Sequence, residues 1–162
     1  MNAPEMIVLP DTQSLPDARA LPIQKVGIKS LRYPIALRTA SGSVQHTVAE
    51  FTMSVGLPHD VKGTHMSRFI EVLEVFDAPL DLAGLRTLGR AMLARLSAAS
   101  GHLEIAFPYF VRKHAPVSGV ASLLDYQAGL GIRMAADGRT QVTVTLTAPV
   151  TSLCPCSKEI SD

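Results

Sequence analysis

Cys154, Pro155 and Cys156 stand near the end of the chain and hold its two thiols. A thiolate is a nucleophile and a strong zinc ligand, so this pair is the first place to look for chemistry. With one residue between them, a disulfide would close a tight, strained ring, and a reducing compartment disfavours it further. Metal ligation, nucleophilic catalysis and inert packing all remain open on spacing alone. A catalytic zinc needs three protein ligands and an open position for water. The histidines that could complete such a site, His46, His59, His65, His102 and His114, are scattered along the chain.

A second cluster runs Lys62-Gly63-Thr64-His65-Met66-Ser67-Arg68 and leads into a stretch of helical period. Free N–H groups at a helix start, a positive dipole end and two flanking cations together favour a phosphate. The competing reading is a solvated helix cap with a satisfied histidine. A third cluster, Arg112-Lys113-His114, sits at the end of a strand pattern and reads as a charged strand terminus in water.

The elements that must position these residues follow from periodicity. Residues 1–22 contain Pro4, Pro10, Pro16 and Pro22 and read as an extended leader. Val26 and Ile28 lie in one strand phase, and Leu31, Tyr33, Ile35 and Leu37 in the other, so a bulge is expected near Lys29 and Ser30. Residues 40–43 read as a hairpin turn, and Phe51, Met53 and Val55 form the inward face of the returning strand. Phe69, Val72, Leu73 and Phe76 make a helical stripe that Thr64 or Ser67 could cap. Pro79 breaks that helix and Asp81 is placed to cap the next, whose core face is Leu85, Leu88, Met92 and Leu96, with Gly101 near its end. Leu103, Ile105, Phe107, Tyr109 and Val111 alternate strictly, residues 117–134 form a looser strand, and Asp137-Gly138 is a turn. Val142, Val144 and Leu146 then open one more strand. The order ββααββ predicts an α+β fold: an antiparallel sheet with both helices on one face over 23–136. Residues 137–162 read as the first strand of a second such module, carrying the cysteines.

Apolar residues make up 47% of the 162 and charged residues 18%, enough to bury a core and too apolar for a disordered chain. Fifteen Lys and Arg against fourteen Asp and Glu give no case for broad nucleic-acid binding. The N-terminal stretch lacks a secretory pattern, and no apolar run approaches the roughly 20 residues of a membrane helix. A cytoplasmic protein without nucleic-acid or membrane partners is expected.

Three stretches, PIQKVGIKSLRYPI, KGTHMSRF and TSLCPCSKEIS, resemble in this order the type IB GTP cyclohydrolases. The resemblance runs from about Leu21 to Asp162. It implies a tunnelling fold built from two ββααββ modules per subunit, assembled into homotetramers. It also implies a hydrolase activity: GTP and water give 7,8-dihydroneopterin triphosphate and formate, the first step of folate and pterin biosynthesis. A divalent metal, zinc or else manganese or iron, is the implied cofactor. By the same resemblance Cys154 falls on the family's catalytic, metal-binding cysteine. His65 falls in its active-site loop, for proton transfer or substrate contact, and Lys62, Thr64 and Arg68 are candidates for the triphosphate. Family members continue past the position of Asp162 with a further metal-binding histidine and a carboxylate for the guanine, so the chain is expected to stop before the end of the second module. Two alternatives are a related fold using Cys154 as covalent nucleophile, as nitrile reductases do, and a non-enzymatic zinc-binding module. The first would need a nicotinamide-binding signature, which the sequence does not display.

Overall fold

The computed structural model describes Pro16 and residues 21–150. Two long strands come first, β1 (Ile23–Arg38) and β2 (Val44–Leu57). Two helices follow, α1 (Ser67–Val75) and α2 (Leu82–Arg95). The chain then returns to strands as β3 (Gly101–His114), β4 (Ala121–Met134) and β5 (Thr140–Thr147). All five strands form one antiparallel sheet in the order β1-β2-β3-β4-β5. The result is the α+β arrangement that the periodicity predicts.

The core lies between the helices and one face of the sheet. Phe51, Met53 and Val55 from β2 and Leu103 and Ile105 from β3 meet Phe69, Leu85, Leu88 and Met92, each with at most 1% of its surface exposed. Burying each such side chain contributes about 1.5–3 kcal/mol. Tyr33 extends this layer by meeting the ring of Phe51 edge-on at 6.4 Å. The segment between the helices is tied to the end of β1. Leu80 donates from its N–H to the Ala36 carbonyl at 2.7 Å and accepts from the Arg38 N–H at 3.0 Å. Next to it Asp81 accepts from the Gly84 N–H at 2.7 Å, as its capping role predicts, and pairs with Arg38 at 3.3 Å. The Gly84 N–H is the main reason the Asp81 carboxyl is held below the usual carboxylate range; desolvation acts against it, and the Ala83 N–H and Arg38 add to the lowering.

Local backbone chemistry agrees with the sequence at several points and departs from it at others. The register of β1 against β2 slips between Ile28 and Leu31, where Ser30 takes φ 58°, so the expected bulge is present. Gly27 is required by close approach: a Cβ there would stand 1.9 Å from the Met53 carbonyl oxygen. The first hairpin closes through Thr39 N–H to Ser43 O at 2.9 Å. Neither Thr64 nor Ser67 caps α1. The N-cap is Met66, already helical, and the entrance is a tight turn whose bonds run from Arg68 N–H to His65 O and Phe69 N–H to Met66 O. Gly101 does not end α2 but opens β3, where a Cβ would stand 2.8 Å from Leu93 and 2.9 Å from Met92. The end of α2 is instead a Schellman motif, with Ala98 N–H on Leu93 O and Ser97 N–H on Ala94 O, and Ser97 takes the left-handed position at φ 52°. The looser strand over 117–134 begins only at Ala121, because residues 115–120 form a turn with Gly119 at φ 68°.

One feature has no counterpart in the sequence pattern. The ladder between β2 and β3 ends at Glu50–Ala106, although both strands continue past that pair. The Gln45 side-chain amide spans the opening, donating to Phe110 O and accepting from Phe110 N–H, both at 3.1 Å. Thr47 adds a bond from its hydroxyl to Pro108 O at 3.2 Å. Pro108 has no N–H to offer a ladder, so side chains take over where the backbone cannot pair.

Two outcomes follow for stability. Leu85→Ala should lose about 2–5 kcal/mol, because the cavity lies under both helices, read as a lower denaturation midpoint in urea. Ser97→Gly should gain about 0.5–1 kcal/mol by relieving a non-glycine left-handed residue, read as a higher Tm; an unchanged or lower Tm would contradict the Schellman assignment.

Candidate functional site

Among the residues singled out by the sequence, Lys62, Thr64 and His65 lie in the segment between β2 and α1, and Arg68 lies in the first turn of α1. Thr64 is buried, at 7% exposure, whereas Lys62 is exposed and His65 and Arg68 are half-buried. The N–H groups of Arg68 and Phe69 are already bonded to backbone carbonyls, so they are not free donors for an anion in this geometry. The segment thus carries two cations and a histidine within a few residues of a buried threonine. Cys154 and Cys156 lie outside the described residues, so no distance from them to this segment is defined. A cysteine thiolate suits a zinc-type ion. Among the described residues no group of three or more His, Cys, Asp or Glu side chains is assembled to hold a metal. Arg112, Lys113 and His114 close β3 as an exposed strand end, with Lys113 Nζ standing 5.9 Å from the centre of the Tyr126 ring.

The sheet face away from the helices carries a second arrangement. His102 lies on β3 with its Nε2 3.1 Å from a Glu104 carboxylate oxygen and its Nδ1 3.4 Å from Lys25 Nζ on β1. Because Lys25 can only donate, Nδ1 accepts and the ring proton sits on Nε2, pointing at Glu104. Burial is the first cause that lowers the His102 pKa; Glu104 acts against it, and Lys25 and Arg133 reinforce it. The neutral imidazole thus relays orientation from Lys25 to Glu104. Strict strand alternation places His102 and Glu104 on one face, opposite Leu103 and Ile105, and that signal is readable in the sequence. Lys25 reaches them only because β1 and β3 flank β2 in the folded sheet.

Since the folded chain holds His102 neutral, the unfolded chain takes up its proton first as pH falls. The stability associated with this group is present above about pH 6.5 and is lost as pH drops toward the folded-state value. Urea midpoints at pH 5.5 and pH 7.5 should therefore differ, lower on the acid side, and His102→Gln should shrink that difference. An identical difference in the variant would assign the pH response elsewhere.

Comparison with known proteins places these features in context. Residues 9–162 match the family model described as type I GTP cyclohydrolase folE2. GTP cyclohydrolase FolE2 1 of Dechloromonas aromatica is 59% identical over 162 residues, covering 100% of this chain and 61% of the relative. GTP cyclohydrolase FolE2 of Methylobacillus flagellatus is 52% identical over 162 residues, and that of Azoarcus sp. 50% over 161, each with 60% of the relative covered. The chain thus spans about three-fifths of the length of these curated relatives. A match over nearly the whole chain, at identities this high, leads to one conclusion: the chain belongs to the type I GTP cyclohydrolase FolE2 family.

Proposed function

We propose that the protein containing this chain is a metal-dependent GTP cyclohydrolase of the type IB branch. It would convert GTP and water to 7,8-dihydroneopterin triphosphate and formate, at the entry to folate and pterin biosynthesis. The observation that carries the reading is the family match over residues 9–162, joined by relatives that bear the GTP cyclohydrolase name. The complete ββααββ unit followed by β5 fits a tunnelling fold whose second module begins near residue 137. A homotetramer in the cytoplasm completes the proposal. No helix among the described residues is long and apolar enough to cross a membrane.

Roles follow from the chemistry of each side chain. Cys154 supplies a thiolate ligand for a divalent ion, zinc or else manganese or iron. Such an ion, when bound, makes water acidic enough to act near neutral pH. Lys62, Thr64 and Arg68 are the candidates for the triphosphate, to which the two cations offer countercharge and Thr64 a hydroxyl. His65 accepts or delivers a proton near the reacting ring, as a positioned histidine can.

Formate release from GTP measures the reading directly. Cys154→Ala should lower kcat by roughly 100-fold or more, since a lost ligand costs at least what a lost supporting contact does. Turnover unchanged by that substitution would remove Cys154 from the mechanism. Consumption of NADPH with a nitrile substrate, in place of formate release, would instead favour the covalent-nucleophile alternative.

A further inference from the structure

The outward side of the two helices carries a groove of about 1290 Å³ between α1 and α2. That volume exceeds the roughly 300–1,000 Å³ of small-molecule sites and suits a stretch of peptide. Ile70, Val75, Ala91 and Ala94 wall it, with the buried Val72 between them. Val75 leaves 82% of its surface exposed, although an aliphatic side chain is stabilised by burial. Glu71 of α1 pairs with Arg95 of α2 across the same groove, so a charged rim surrounds an apolar wall. A rimmed apolar patch of this kind marks a surface that another segment covers.

The chain itself carries a segment that matches. Met6, Ile7, Val8 and Leu9 form an uninterrupted apolar run, bracketed by Pro4 and Pro10. A residue before proline favours an extended backbone, and the two prolines suit neither a helix interior nor a regular strand ladder. Four extended residues span about 13 Å, and the nine residues of α1 rise about 13.5 Å. Chain direction supplies a second match. Pro16 forms an antiparallel bridge with Val61, six residues before α1 begins. Traced toward the N-terminus, the chain at Pro16 therefore runs in the direction that leads from Val61 to Ser67, where the groove starts. Ten residues separate Pro16 from Met6, a reach of up to about 33–36 Å, enough to pass this approach and lie along α1.

We propose that residues 6–9 of this chain dock in the groove between its own α1 and α2. The N-terminal segment is then held at two places, at Val61 through Pro16 and at the helices through the apolar run. Between those two points it straps the stretch that carries Lys62, Thr64 and His65, and so limits how far that stretch can move. A second copy of the chain would present the same run to the same groove. Tethering decides between them: a short link raises the effective concentration of the chain's own segment to about the millimolar range.

The test introduces a photo-crosslinking benzoylphenylalanine in place of Val8 in the full chain and maps the products by mass spectrometry. Crosslinks should fall within residues 70–76 or 87–97 of the same chain. Thermal melts supply an independent readout. Ile7→Ser and Val75→Ser should each lower the Tm by roughly 3–10 °C, the effect of losing one buried aliphatic side chain in a protein of this size. The double variant should lose no more than the larger single loss, because both substitutions remove the same contact. Val120→Ser, in the turn between β3 and β4, should instead add its own effect to that of Ile7→Ser. Crosslinks elsewhere in the chain, an unchanged Tm in Ile7→Ser, or fully additive losses for Ile7 and Val75 would overturn the proposal. Crosslinks that join two chains would overturn it as well and assign the groove to a second copy.

Discussion

Covering one face of the sheet is the constraint from which the other features of the molecule follow. Side chains alternate along a strand, so once Phe51, Met53, Leu103 and Ile105 are committed to the helices, their neighbours must face the other way. Glu50, Ser54, His102 and Glu104 are those neighbours. The polar face is thus the obligatory complement of the core, and a one-residue slip in register would exchange the two. The bulge at Ser30 keeps this bargain along β1, restoring the inward phase for Leu31 and Tyr33 after Ile28.

The helices hold their place by a small number of directional contacts added to this apolar layer. Leu80 bonds to β1 through its backbone in both directions, and Asp81 starts α2 while pairing with Arg38. On the other side of α1, the Tyr33 hydroxyl donates to Glu74 at 2.6 Å, and that hydrogen bond is the main reason the phenol titrates above its usual range. The sheet itself is less uniform than its helix-side layer. Where β2 and β3 part company, Gln45 and Thr47 replace ladder bonds with side-chain ones. Buried or half-buried backbone groups need partners, and a side-chain amide, with a donor and an acceptor side by side, is the nearest substitute for a peptide.

The candidate site was legible to different degrees for physical reasons. Cys154 announces itself because thiols are scarce in the chain and their chemistry is narrow. Lys62, Thr64, His65 and Arg68 were legible as a cluster, but the way they enter α1 was not: the first-turn N–H groups turn back on His65 and Met66, an arrangement governed by backbone torsions. Glu104 and His102 could be paired from alternation within one strand. Lys25 and Arg133 could not, because they join only through register across β1 to β4.

Sequence alone was sufficient for what depends on neighbours along the chain. The helical stripe from Phe69 to Phe76, the strict alternation from Leu103 to Val111, the cap at Asp81 and the turn at Gly138 are all local patterns with local causes. Tertiary structure decided what depends on distance in space: Gly101 serves β3 rather than α2, Ser97 takes the left-handed turn, and Lys25 meets His102 across β2. The reason is the same in each case. Periodicity specifies which way a residue faces, whereas only packing and strand register specify what it faces.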